Sequence, residues 1–170
     1  MSRTIHSRFS SRQLPDLLQA LLVAELISPS ACLWLVSPWV SDIPIIDNTA
    51  NTFLALEPSW PRSKIRLVQV LATLTHLGTT VCVATRPDLH NRSFVETLGT
   101  LANDNYLRLH QAEELHTKGM LSDVFFLAGS MNFTFNGITV NEETLIYETA
   151  LEAISEQKLN FRSRWGGATS

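Results

Sequence analysis

Residues 31–40, ACLWLVSPWV, are almost wholly apolar, with β-branched and aromatic side chains that leave no polar face. A strand with this pattern must be covered on both sides, which belongs to the interior of a parallel or mixed sheet rather than to an edge. Residues 79–85 repeat the pattern. Between them, Ile65, Val68, Leu71, Ala72, Leu74 and Thr75 fall at helical spacing within 63–76, and Gly78 supplies a stop. The spacing therefore predicts a strand–helix–strand unit. Asn91 is a candidate cap for a helix running to 103, with Phe94, Leu98 and Leu101 inward, followed by a short strand over 106–109. The last third differs, because residues 118–121, 124–128 and 144–147 are short strand-like runs separated by polar turns. A hairpin is expected around Ser122-Asp123, and a closing helix over 150–161 with Leu151, Ile154 and Leu159 inward. Together these elements predict an α/β fold, a mixed β-sheet flanked by helices on both faces.

A chain of 170 residues, 45% of them hydrophobic, suits one domain over residues 1–170, with 1–30 forming an N-terminal arm and helix. Leu14, Leu17, Leu18, Leu21, Leu22 and Leu26 lie at helical spacing. Gln19 and Glu25 interrupt the stretch, so it reads as an amphipathic helix rather than a cleaved secretory signal. Residues 42–61 carry turn signals at Asp47-Asn48, Pro58 and Pro61 and read as a long irregular excursion. No apolar run is long enough to span a bilayer. Cys32 and Cys82 sit inside apolar runs and imply neither a disulfide framework nor a zinc site. No metal, cofactor or membrane association is expected, and a cytoplasmic location is.

A net charge of −3 and a pI near 5.9 exclude binding of nucleic acid through bulk charge, so any phosphate must be held locally. Basic residues do gather at the two ends, as Arg3, Arg8 and Arg12 and as Lys158, Arg162 and Arg164. Each cluster is either solvated surface or part of a nucleic-acid track.

Between 115 and 143 the chain holds a constellation of a different kind: His116, Lys118 and Asp123 in the frame His-x-Lys-x-x-x-x-Asp, then Gly129-Ser130-Met131-Asn132, then Asn141-Glu142-Glu143. On a strand, His116 and Lys118 share one face and Thr117 points away. A neutral imidazole is nucleophilic near physiological pH, and an ammonium stabilises oxygens that gather negative charge. Ser130 and Asn132 offer side-chain donors to the same oxygens, and Gly129 lets backbone approach closely. Glu143 suits the carboxylate that fixes the tautomer of His116, with the adjacent Glu142 as the competing choice. Trp39, beside Asp42 after Ser37-Pro38, is either a substrate contact or a core residue. His6, His76, His90 and His110 stand in no recognisable frame.

This constellation resembles the signature of the phospholipase D superfamily. Five residues separate Asp123 from Gly129 here, where the family pattern has six. The resemblance implies catalysis by His116 and Lys118, a phosphohistidine intermediate and a structural role for Asp123. Its members use two such motifs, whereas His-x-Lys occurs once in this chain. That implies a homodimer with one His116 from each copy at a two-fold axis. Small single-motif members are nucleases, which makes DNA the favoured substrate over RNA. The Ser37-Pro38-Trp39 strand end is similar to that of the phospholipase D-like component of a bacterial 7-deazapurine DNA-modification system, where a helicase or other components would be partners. Two other readings use the same residues: a weakly catalytic phosphate-binding module of a modification or restriction complex, and a phospholipase or phosphatidyl transferase.

Overall fold

A computed structural model describes residues 2–6 and 13–168. Along the chain it comprises β1 (Ser2–His6), α1 (Gln13–Ile27), β2 (Cys32–Val36), β3 (Pro44–Asp47), β4 (Lys64–Arg66), α2 (Leu67–His76), β5 (Thr80–Thr85) and α3 (Leu89–Leu101). Then follow β6 (Leu107–Gln111), β7 (Gly119–Leu121), β8 (Phe126–Gly129), α4 (Phe135–Thr139), β9 (Thr144–Glu148) and α5 (Leu151–Trp165). Seven strands form a mixed sheet in the order β1-β9-β8-β7-β2-β5-β6, and β3 pairs with β4 in a separate ribbon. β2, β5 and β6 are parallel, while β7, β8, β9 and β1 add on antiparallel.

The two apolar runs supply the centre. Every residue of β2 and of β5 is buried. Because side chains alternate across a strand, Leu33, Leu35, Val81 and Val83 join the core beneath α1, α2 and α3, with Leu18, Leu22, Val68, Leu71, Phe94 and Leu98. Cys32, Trp34, Val36, Cys82 and Ala84 face the other way, beneath α5 with Ile154, Phe161 and Trp165. There Phe161 packs edge-on against Trp34, Phe126 and Trp165. The Trp34 indole N–H donates to the Gly166 carbonyl at 2.8 Å, tying the end of α5 to the central strand. Cys32 and Cys82 are buried free thiols with their sulfurs 3.8 Å apart.

Several local expectations change. The helix expected from 63 begins at Leu67, because Lys64–Arg66 pair with Pro44–Asp47, a strand within the supposed irregular excursion. Asp88, not Asn91, caps α3 by accepting from the His90 N–H. Asn91 is buried, accepts from the Val40 N–H and donates to the carbonyls of Pro38 and Arg86, so it clamps the ends of β2 and β5 together. Leu101, Leu151 and Leu159 are exposed rather than inward. In α5 the buried stripe is Ile154, Phe161 and Trp165, seven and four residues apart on one helix face, and Leu159, two residues before Phe161, falls on the opposite face. The N-terminal arm contributes an edge strand, β1, paired with β9. Arg8 and Arg12 lie outside the described residues.

Glu25, one of the two polar interruptions of the apolar stretch, is completely buried in α1. Its carboxylate accepts from the Ser30 N–H and hydroxyl, both at 3.0 Å. Ser30 in turn accepts from the Asp123 N–H, and Asp123 accepts from the Ala31 N–H at 2.6 Å and pairs with Lys158. This network joins α1, the start of β2, the β7–β8 turn and α5. Ala31 is exposed and Asp123 only partly covered, so loss of the hydrogen bond between them costs about 0.5–1.5 kcal/mol, the net worth of such a bond. Asp123→Ala is therefore expected to lower unfolding stability by about that amount, read as a reduced urea midpoint at unchanged slope. An unchanged midpoint would contradict the anchoring role.

Candidate active site at one edge of the sheet

Strand direction places the polar residues. β2 ends at Val36 and leads into Ser37-Pro38-Trp39, and β5 ends at Thr85 and leads into Arg86. β7 runs opposite to β2, so His116 and Lys118, just before Gly119, lie at that same edge. β8 runs opposite to β7 and delivers Gly129, Ser130 and Asn132 there, and the chain enters β9 from Glu143 at that edge as well. Asp123 belongs to the β7–β8 turn and sits at the other edge, beside Ala31. The carboxyl ends of parallel strands are where α/β sheets bind ligands.

His116 and Lys118 do not sit on a regular strand, as the alternation had suggested. They occupy the run-in to β7, with His116 exposed and Lys118 half-buried. Lys118 is nevertheless held in register, since its carbonyl accepts from the Gly129 N–H at 3.3 Å. Its ammonium donates to the His116 carbonyl at 3.2 Å, and Thr117 turns toward Arg164 at the end of α5. The turn that links Asp123 to β8 is closed by the Ser122 N–H on the Phe125 carbonyl.

The residue that sequence reasoning missed is Arg86. Its Nε donates to the Leu115 carbonyl at 2.9 Å, and its Nη2 lies 3.2 and 3.3 Å from the two ring nitrogens of His116. Its guanidinium carbon also lies 5.1 Å from the centre of the Trp39 ring. Trp39, Arg86, His116 and Lys118 thus form one connected, cationic group. The available signal was position alone: an arginine directly after the second fully buried strand.

Gly129 has no room for a side chain, because a Cβ there would fall 2.1 Å from the Thr144 carbonyl oxygen. That contact seats Ser130 beside β9, where its N–H donates to the Thr144 carbonyl and its hydroxyl to the Glu143 carboxylate. Glu143 is buried and Glu142 exposed, so Glu143 is the inward member of the pair. The Glu143 carboxylate faces Ser130 and Asn141, whereas the ring nitrogens of His116 face Arg86. Asn132 is half-buried, its Oδ1 lying 3.4 Å from the buried Ser37 hydroxyl. A recess of about 290 Å³ opens between Trp39 and Asn132. The larger recess, about 480 Å³, lies elsewhere, between α1, β3 and α4. Among the described residues no cluster of His, Cys, Asp and Glu is arranged to hold a metal ion. Nor is any helix long and apolar enough to cross a membrane.

No family profile and no curated protein matches the chain by sequence. Solved structures do match it by shape. NucT from Helicobacter pylori superposes with a TM-score of 0.64 at 14% identity, over 96% of this chain and 94% of that one. The phospholipase D family member Nuc from Salmonella typhimurium gives 0.59 at 15%, over 99% and 96%. Phosphatidylserine synthase from Haemophilus influenzae gives 0.60 at 16%, over 96% of this chain but 39% of its own. The fold is phospholipase D-like. Since Gly129 meets backbone rather than a yielding side chain, Gly129→Ala is expected to part β8 from β9 and cost about 1–3 kcal/mol of stability. Amide exchange at Ser130 and Ile146, whose N–H groups lie between the two strands, should rise in that variant, and unchanged protection would contradict the close approach.

Proposed function

We propose that this chain is a phosphodiesterase in which His116 forms a covalent bond to phosphorus. The observation that carries the reading is the convergence of His116, Lys118, Arg86 and Asn132 at one sheet edge, held there by the β2–β7–β8 register. An imidazole nitrogen attacks phosphorus, the P–O bond to the leaving group breaks, and Lys118 and Arg86 stabilise the charge that builds on the non-bridging oxygens. Asn132 donates to the same oxygens from β8. Glu143, whose carboxylate accepts from the Ser130 hydroxyl, is assigned the orienting role: it takes up the second ring N–H of His116 once phosphate displaces Arg86 from the ring.

The leaving oxygen needs a proton, and the chain carries one His-x-Lys. We assign the donor to the partner subunit's His116 in a two-fold homodimer, with phosphorus on the axis. Water then attacks phosphorus, the P–N bond breaks as the new P–O bond forms, the water's proton passes to the partner subunit's His116, and both rings return to their starting states. None of these steps calls for a metal.

Nucleic acid, with DNA favoured, is the substrate this reading prefers. Nuc and NucT are matched over nearly their whole length, which fits a small enzyme of the same plan. A DpdK-like place in a 7-deazapurine DNA-modification system, beside a helicase or other components, is the finer version. A second reading rests on a specific observation: Arg86 faces both ring nitrogens of His116, an arrangement that suits binding an anion without attacking it. A phospholipase would release headgroup from vesicles, which separates that alternative.

Incubation with single- and double-stranded DNA in EDTA is expected to give cleavage that His116→Ala abolishes. Lys118→Ala should lower kcat/KM on the order of 10²- to 10³-fold, as loss of one transition-state donor does. Cleavage that survives His116→Ala overturns the reading, and binding without turnover in the unaltered protein favours the anion-binding module.

A further inference from the structure

The recess beside the cationic group differs from it in character. Trp39 and Phe135 stand on its walls, exposed by 36% and 58% respectively, although large aromatic side chains are ordinarily covered. His90 faces them, its Nε2 2.9 Å from the Ser41 hydroxyl. Thr134 and Asn136 add polar groups to the rim, and among the described residues no carboxylate lines it. Asn132 belongs both to this recess and, through Ser37, to the end of β2. The indole of Trp39 carries Arg86 against it, yet Arg86 does not line the recess. Trp39 therefore separates a cationic side from an aromatic one.

We propose that this recess holds one unpaired nucleobase next to the phosphodiester, stacked on Trp39 and Phe135, which makes single-stranded nucleic acid the preferred ligand. The inference rests on the phosphodiesterase reading for the identity of the neighbouring phosphate. Its own support is separate: two exposed aromatic walls, a rim of amide, hydroxyl and imidazole groups suited to a heterocycle's edge, and the absence of carboxylates that would repel a polyanion. About 290 Å³ is the lower end of the range for small-molecule sites, room for a single ring system. In a duplex the base faces are already stacked on one another and cannot reach a side chain. Base-on-aromatic stacking is tolerant of sequence, so little base preference is expected.

Trp39 offers a direct readout. The other three tryptophans, Trp34, Trp60 and Trp165, are buried, so an added base can reach Trp39 alone. His116→Asn protein, which binds without turning over, is titrated with a short thymidine oligomer and with an abasic oligomer of equal length and charge. The thymidine oligomer is expected to quench tryptophan emission and to bind about 5- to 150-fold more tightly than the abasic one. Trp39→Phe should lose the quenching and keep most of the affinity, because a ring remains, and Phe135→Ala should lose much of the preference for bases. A uridine oligomer that behaves like thymidine supports the same conclusion, since the base and not the sugar is read.

Equal binding of the two oligomers, quenching that persists in Trp39→Phe, or binding of neither oligomer overturns the proposal. The two readings fail separately. His116-dependent cleavage with no preference for bases leaves the reaction standing and removes the subsite, whereas base-selective quenching without cleavage does the reverse.

Discussion

The structure depends on the burial of β2 and β5 on both faces. Leu33 and Leu35 point one way and Cys32, Trp34 and Val36 the other, so helices must cover the sheet from both sides. Neither face of these strands offers a place for polar chemistry. Only their ends do, where the chain turns and backbone groups must find partners. Asn91, with an amide that bonds Val40, Pro38 and Arg86, meets that demand at the carboxyl ends and fixes the loop geometry from which Trp39 and Arg86 emerge.

The two ends of β7 have different tasks. At one, Asp123 is consumed by Ala31 and Lys158 in a network that reaches the buried Glu25. At the other, His116 is exposed and Lys118 half-buried. α5 runs along the same strand, so Lys158 meets Asp123 near one end and Arg164 meets Thr117 near the other. The members of one continuous sequence motif thus act at opposite edges of the sheet, Asp123 as an anchor and His116 and Lys118 as candidates for chemistry. The proximity of Asp123 to His116 in sequence is a property of a three-residue strand, not of a shared site.

The architecture was legible where a single physical pattern dominated. Unbroken apolar runs identified β2 and β5, helical spacing identified α1 and α2, and the polar punctuation around Ser122 identified the β7–β8 hairpin. Elements that depend on tertiary partners were not legible. β3 is four residues long with two buried, too short to show a period, and it exists because β4 pairs with it. Glu25 looks solvated by composition, and only the fold brings Ser30 to it. Leu101, Leu151 and Leu159 look like core residues by hydropathy, but the positions facing the sheet on those helices are filled by Phe94, Leu98, Phe161 and Trp165. At the site, the His-x-Lys frame stood out because its residues are close in sequence. Arg86 did not, since thirty residues separate it from the His116 ring that it meets.

The central claim is that His116 itself bonds to phosphorus. Rapid mixing of the protein with a DNA substrate, an alkaline quench that preserves a phosphoramidate, and mass spectrometry of the digested protein test this directly. A nucleotide or phosphate adduct is expected on the peptide that contains His116, formed and lost at rates matching turnover. Turnover with no adduct on any residue, or an adduct confined to a different side chain, would contradict it.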